Sequence, residues 1–114
     1  MRYKRKRNLK VYRIEDMKQG WFVGDFLPTA FKTNKCEVAY KRHRKNENWP
    51  RHAQKKAWEI NYLITGEMRI NDKDLEAGDI FVIPPQEFSK PTFFTNCQLI
   101  VVKIPSLPKD KILE

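Results

Sequence analysis

The chain has 114 residues and carries 23 Lys and Arg against 14 Asp and Glu, which gives a formal net charge of +9. This length favours one domain, which can bury a core without disulfides or a structural metal. A hydrophobic share of 40%, with seven Phe, four Tyr and three Trp, excludes a disordered chain. No apolar run is long enough for a transmembrane helix.

Basic residues concentrate at two places in the chain. Residues 1–10 hold six Lys and Arg and no acid, and we predict a basic N-terminal tail or arm there, followed by a single domain over residues 11–114. A second basic group spans residues 41–56. Such surfaces attract phosphates, nucleic acid and anionic metabolites without specificity. Nucleic-acid binding through the arm therefore stays open, but no recognised motif accompanies it and it is not favoured.

The two cysteines and the N-terminus indicate the compartment. Cys36 and Cys97 are far apart and lack the spacing of a metal site. The basic N-terminus is not followed by the apolar segment of a secretory signal. We expect a cytoplasmic protein, without a membrane partner, in which both thiols are free.

Short apolar segments with Gly and Pro corners predict an all-β chain. Residues 20–28 are predicted to form a glycine-punctuated turn or loop, and short helical turns are predicted around 14–19 and 109–113. The predicted strands, in chain order, are 10–14, 36–44, 57–65, 67–70, 80–83, 91–94 and 98–104.

Alternation within two of these strands predicts which side chains share a face. Glu59, Asn61 and Leu63 fall on one face of residues 57–65, and an Asn beside a Glu favours the lining of a polar pocket. His43 shares a face of residues 36–44 with Lys41. An approach to the mouth of the pocket stays open for this His, but a solvated position is favoured.

Two segments resemble the cupin family of jelly-roll proteins. The first begins at His52, reaches Glu59 and is followed by Gly66; the second runs from Gly78-Asp79 to Pro84. The spacing of these residues is similar to that of small single-domain cupin-like proteins of bacteria and their phages. The resemblance covers about residues 37–105 and implies one cupin-type jelly-roll β-barrel. Because cupins commonly pair through outer strands, it also implies a homodimer.

The same resemblance implies a metal site that this chain carries only in part. Cupins bind one ion with three imidazoles and a carboxylate, but Gln54 and Ser89 stand where two of the imidazoles are expected, and Gln86 stands for a glycine. His52, Glu59 and the amide of Gln54 are the remaining candidate ligands for a weakly held divalent metal. Transition metals are bound tightly only when several imidazoles and a carboxylate converge.

Together with the basic composition, the resemblance implies a pocket that binds an anionic small molecule, of which a nucleotide-linked sugar, a substrate of some cupins, is one example. His52 is the candidate general base and Glu59 its orienting group for metal-independent isomerase or epimerase chemistry. Two alternatives stay open: a non-catalytic ligand- or protein-binding module, and a metal-dependent cupin enzyme. The further candidate ligand-binding residues are Gln54, Asn61, Arg42, Arg44, Arg51 and Lys55.

Overall fold

The structure is a computed structural model, and it describes residues 8–114. Residues 1–7, most of the basic arm predicted over residues 1–10, lie outside the described residues. No helix within 8–114 is long and apolar enough to cross a membrane. The described residues form a 3₁₀ turn at Ile14–Asp16 and the strands β1 Trp21–Gly24, β2 Phe31–Lys32, β3 Glu37–His43, β4 His52–Gln54, β5 Trp58–Thr65, β6 Glu67–Ile70, β7 Lys73–Glu76, β8 Ile80–Ile83, β9 Pro91–Phe93, β10 Cys97–Ile104 and β11 Lys111–Leu113.

The all-β prediction is confirmed, and six predicted strands correspond to β3, β5, β6, β8, β9 and β10. Three local predictions are wrong. Residues 10–13 form no strand, the loop predicted over 20–28 contains β1, and the helical turn predicted over 109–113 contains β11. Short segments such as these take their conformation from a partner strand rather than from their own propensity. For β11 that partner is β4.

The strands form three sheets. The largest has the order β2-β1-β3-β10-β5-β8, the second pairs β11 with β4, and the third has the order β7-β6-β9. β10 pairs antiparallel with both β3 and β5 over most of its length. These long central pairings align the side chains of β3, β10, β5 and β8 in rows across the largest sheet.

The hydrophobic core lies between the largest sheet and the β7-β6-β9 sheet. The largest sheet supplies Leu63, which is fully buried, while the smaller sheet supplies Met68 and Phe93 from its facing side. Apolar residues from facing sheets pack together in this way in sandwich and jelly-roll architectures. The remaining buried members of the core are Ala39, Cys97, Leu99 and Val101.

Three positions of the resemblance, Gly66, Gly78 and Gln86, have a left-handed backbone. Gly66 joins β5 to β6 with φ of +103°, and a Cβ there would stand 2.5 Å from the carbonyl oxygen of Asn96, so only glycine fits. Gln86 stands where the resemblance expects glycine, and its φ is positive, at +68°. A non-glycine residue in this region is strained by roughly 1–2 kcal/mol.

Candidate functional site

A cavity of about 320 Å³ lies beyond the core, between the inner face of the largest sheet and the two smaller sheets. Odd-numbered residues of β3, β10, β5 and β8 line it, because pairing across this sheet keeps them on one side. The β4–β11 pair supplies another wall. The polar and charged lining residues of the largest sheet and this pair are Lys41, His43, His52, Gln54, Glu59, Asn61, Lys103 and Lys111.

The predicted face of β5 does line this cavity. Asn61 is buried, and its side-chain nitrogen donates a hydrogen bond of 3.1 Å to Oε2 of Glu59. The outward neighbours Trp58 and Tyr62 are exposed, so the predicted alternation is confirmed. The amide of Asn61 therefore fixes the carboxylate of Glu59 along the cavity wall.

His52 also faces the cavity, but its orienting group differs from the predicted one. Its Nδ1 lies 3.2 Å from the carbonyl oxygen of Pro50. A carbonyl only accepts hydrogen bonds, so Nδ1 of the neutral ring carries the proton and Nε2 is left as an acceptor. Burial lowers the pKa of His52, which favours this neutral form. Glu59 was expected to orient His52 but is bonded to Asn61 instead.

The predicted metal ligands do not make a transition-metal site. A backbone bridge sets His52 opposite Ser89, so the two motifs meet as the resemblance implies. However, the described residues contain no group of three or more His, Cys, Asp or Glu side chains arranged to hold an ion. Gln54 is buried, and its amide nitrogen finds no hydrogen-bond partner among the described residues. An amide donor beside one imidazole and one carboxylate is a poor donor set for a divalent cation.

Lysine ammonium groups dominate the charge of the cavity. Lys41 and Lys103 both lie over the ring of Trp21, with Nζ 5.1 Å and 4.8 Å from its centroid, and Lys111 lies 5.3 Å from that of Trp49. No carboxylate of residues 8–114 is within 4.0 Å of any of the three ammonium groups. Each of the three ammonium groups therefore makes a cation–π contact with a tryptophan of the cavity lining.

Lys41 is the most strongly perturbed of these lysines. Burial, followed by repulsion from Lys103 and Lys111, lowers its pKa to about 8. Its Nζ donates a hydrogen bond of 2.7 Å to the carbonyl oxygen of Gln19. A substantial fraction of Lys41 is therefore a neutral amine at mildly alkaline pH.

His43 also lines the cavity, which contradicts the solvated position expected for it. Its Nδ1 is 2.7 Å from Oε2 of Glu47, and its ring stacks on Phe93 at 4.4 Å between centroids. Trp49 also donates to Oε2 of Glu47. Burial raises the pKa of Glu47, but hydrogen bonds from His43, Trp49 and the Arg44 backbone outweigh it and lower the pKa to about 2. An ionised carboxylate thus holds the imidazole through Nδ1, as in catalytic His–carboxylate pairs.

The four predicted basic ligand residues lie outside the lining of this cavity. Arg42 and Arg44 are exposed at even-numbered positions of β3 and the residue after it. Arg51 pairs with Glu114 at 2.9 Å, and Lys55 is exposed. The structure therefore supplies the cavity's positive charge through lysines that the sequence did not single out. The alternation in β3 did place Lys41 and His43 on the same face as Glu37. The alternation alone does not show whether that face points into the protein.

Comparison with known proteins establishes the fold. No protein-family model and no curated protein matches the chain. Among solved structures, the chain is similar to a double-stranded β-helix protein from Klebsiella pneumoniae (19% identity, 71% of each chain, TM-score 0.64). It is also similar to an RmlC-like cupin from Shewanella frigidimarina (24% identity, 67% of this chain and 71% of that one, TM-score 0.62). KdgF from Halomonas sp. matches at 16% identity, over 67% and 74% of the two chains, with a TM-score of 0.61. The predicted cupin jelly-roll fold is confirmed.

Proposed function

We propose that the protein binds a small organic anion in the cavity. The observation that carries this proposal is the convergence of Lys41, Lys103 and Lys111 on one cavity without a carboxylate partner within 4.0 Å among the described residues. Unpaired cations in a partly dehydrated site are unfavourable. An anion bound between them removes that repulsion and forms charge-assisted hydrogen bonds.

Gln54 and the tryptophans support an anion that also has a flat or apolar part. The unpartnered amide nitrogen of Gln54 is a buried donor that an oxygen atom of the ligand would satisfy. Trp21 and Trp49 add aromatic surface beside the lysines. The combination suits a carboxylic acid or a phosphate ester carried on a small carbon skeleton.

The size of the cavity favours a small acid over a whole nucleotide-linked sugar. At about 320 Å³ it is near the lower end of the roughly 300–1,000 Å³ range of ligand pockets. The arginines expected to hold the phosphates of a nucleotide are outside its lining. A nucleotide-linked sugar remains a ligand to test, and the small acids are expected to bind more tightly.

A catalytic role is a second candidate, favoured by the pairing of His43 with Glu47 inside the same cavity. A neutral imidazole held at Nδ1 presents Nε2 as a general base to the ligand. Solved structures similar to this chain include DMSP lyase DddQ from Ruegeria pomeroyi and a salicylate 1,2-dioxygenase. Enzymes therefore exist on this fold, and His43 is here a candidate for metal-independent proton transfer.

Isothermal titration calorimetry of the full-length protein tests anion binding. The probes are pyruvate, inorganic phosphate, a sugar phosphate and a nucleotide-linked sugar, each measured at low and high salt. Replacing either Lys103 or Lys111 with Met should weaken binding of the best probe about 10-fold or more, since a hydrogen bond to a charged group is worth about 1.5–3 kcal/mol. Lys45→Met, at an exposed position outside the cavity lining, is the matched control and should leave affinity unchanged.

Two results would contradict the proposal: no heat of binding with any of the four probes, or equal affinity in the parent and both cavity variants. Long incubation of the best-binding probe, followed by NMR of the small molecule, separates the catalytic candidate from a non-catalytic binding module. Loss of turnover in His43→Gln with binding retained would support catalysis. An unchanged probe would leave the protein as a binding module.

A further inference from the structure

We propose that Lys41 is an imine-forming lysine and that the cavity takes small oxoacids, which combine a carbonyl group with a carboxylate. This inference rests on the proposed anion binding and specifies its ligand class. It is argued from the positions of three groups: the amine of Lys41, the two other ammonium groups, and the imidazole of His43.

The amine of Lys41 is placed as a nucleophile requires. It lines the cavity, and one of its hydrogens is donated to the Gln19 carbonyl at 2.7 Å. That bond fixes the nitrogen and leaves its lone pair free in the neutral form. Burial and neighbouring cations activate lysines toward carbonyl compounds in this way.

The charged groups facing Lys41 come from four elements. Lys103 on β10 and Lys111 on β11 oppose its protonation, while Glu59 on β5 and Glu47 in the loop after β3 favour it. Burial of the amine is the largest contribution, and together with the two cations it outweighs the carboxylates and lowers the pKa of Lys41 to about 8 from the ordinary 10.5. The same two cations are available for the carboxylate of the ligand, so one cluster both binds the acid and activates the amine.

His43 lies two residues from Lys41 on the same face of β3, and both side chains line the cavity. Side chains two apart along a strand are neighbours on one face. Glu47 holds Nδ1 of His43, which leaves Nε2 as the ring nitrogen that can exchange a proton with the cavity. The pair supplies a nucleophile and a proton carrier within one strand.

The chemical step is balanced without a further reactant. The lone pair of the Lys41 nitrogen forms a bond to the carbonyl carbon, and the C=O π electrons move to oxygen. A proton then passes from nitrogen to that oxygen, with His43 as carrier. The proton that remains on nitrogen then passes through His43 to the hydroxyl as the C–O bond breaks, which releases water and leaves the C=N bond of the imine.

Reductive trapping tests the inference. The full-length protein is incubated with pyruvate and sodium cyanoborohydride, which reduces the imine to a stable secondary amine, and adducts are located by intact-mass and peptide mass spectrometry. One adduct at Lys41 is expected. Its rate should rise with pH through about 8, the pKa of Lys41, as the amine loses its proton.

Substitutions separate the role of Lys41 as a nucleophile from its role as a positive charge. Lys41→Arg keeps a cation that does not form imines, so it should lose the adduct but retain pyruvate binding by calorimetry. Lys45→Arg should form the Lys41 adduct as the parent does. Lys103→Met should bind pyruvate more weakly and therefore form the adduct more slowly at subsaturating concentrations.

Different results would contradict imine formation at Lys41 and anion binding in the cavity. Pyruvate binding without an adduct at Lys41 overturns imine formation and leaves the anion site intact. An adduct spread over many exposed lysines, or one retained in Lys41→Arg at Lys103 or Lys111, also overturns it. If neither pyruvate nor any other probe binds, the anion site itself is wrong.

Discussion

The two faces of the largest sheet have an inverted polarity. Its inner face carries Lys41, Lys103 and Glu59 among apolar neighbours, whereas its outer face exposes Trp58 and Tyr62. Ordinary antiparallel sheets bury the apolar face and expose the polar one. We therefore propose that the inner face contacts a polar ligand and that the outer face contacts a partner.

The outer face is apolar across four neighbouring strands. Tyr62 stands opposite Ile80, and Ile104 stands opposite Trp58. Among the even-numbered positions of β3, β10, β5 and β8, Arg42 is the only charged residue. With strands about 4.8 Å apart, this face projects about 400 Å², within the roughly 300–600 Å² of the largest patches on monomeric proteins, which are often functional.

The largest effect is expected when charge is introduced on the apolar outer face, and it concerns self-association. A second copy of the chain is the expected occupant of the outer face, because a nearly uncharged face lets two chains of net charge +9 meet without opposing like charges. Tyr62→Lys and Val82→Lys place an ammonium group in the contact and should convert a dimer to a monomer in light scattering coupled to gel filtration.

Thr92→Lys, at an exposed position of β9 in another sheet, is the matched control and should remain dimeric. A parent protein that is monomeric at every concentration would rule out the second copy and assign the face to a different partner. The homodimer expected from the resemblance stays a prediction until this measurement.

The sequence predicted this sheet better than it predicted the site. Alternation and apolar runs located β3, β5, β8 and β10, and period-two alternation, which is local, grouped the side chains of β3 and β5 correctly. It did not decide which face of β3 points inward, since that depends on the strands packed against it. His43 was therefore placed in solvent, and the cavity's cations were sought at Arg42 and Arg44. Lys111 could not be placed at all without the pairing of β11 with β4.

A smaller effect, on the stability of the folded protein, is expected from removing the half-buried cation Lys41 from the inner face. The pKa of Lys41 is about 8 in the folded protein against 10.5 ordinarily, so the unfolded chain binds more protons between these values and stability rises with pH across them. Below pH 8 the charged form opposes folding in full. Lys41→Met should therefore raise the free energy of unfolding at pH 7 by about 1 kcal/mol, a value reduced for the screening of a half-buried group.

Urea denaturation at pH 7 and at pH 10.5 measures this effect. The advantage of Lys41→Met over the parent should shrink at the higher pH, where Lys41 is neutral in the folded state. Lys45→Met should show no such pH-dependent difference. If Lys41→Met is less stable than the parent at pH 7, the Lys41 side chain stabilises the folded protein, and its charge is not the unfavourable feature of the cavity that we propose.

The smallest effect concerns Gln54, whose buried amide nitrogen has no partner among the described residues. A buried donor without an acceptor destabilises the folded state, and an apolar residue of similar shape is close to neutral or better. Gln54→Met should change the free energy of unfolding of the ligand-free protein by less than about 1 kcal/mol, in the stabilising direction. In saturating pyruvate that gain in stability should disappear, because a ligand oxygen then accepts a hydrogen bond from the Gln54 amide of the parent protein.

Urea denaturation with and without pyruvate compares the two states, with Gln98→Met on the outer face of β10 as the control. A large loss of stability in the ligand-free variant would show that the Gln54 amide is hydrogen-bonded within the protein in solution. Gln54 would then stabilise the fold rather than bind a ligand.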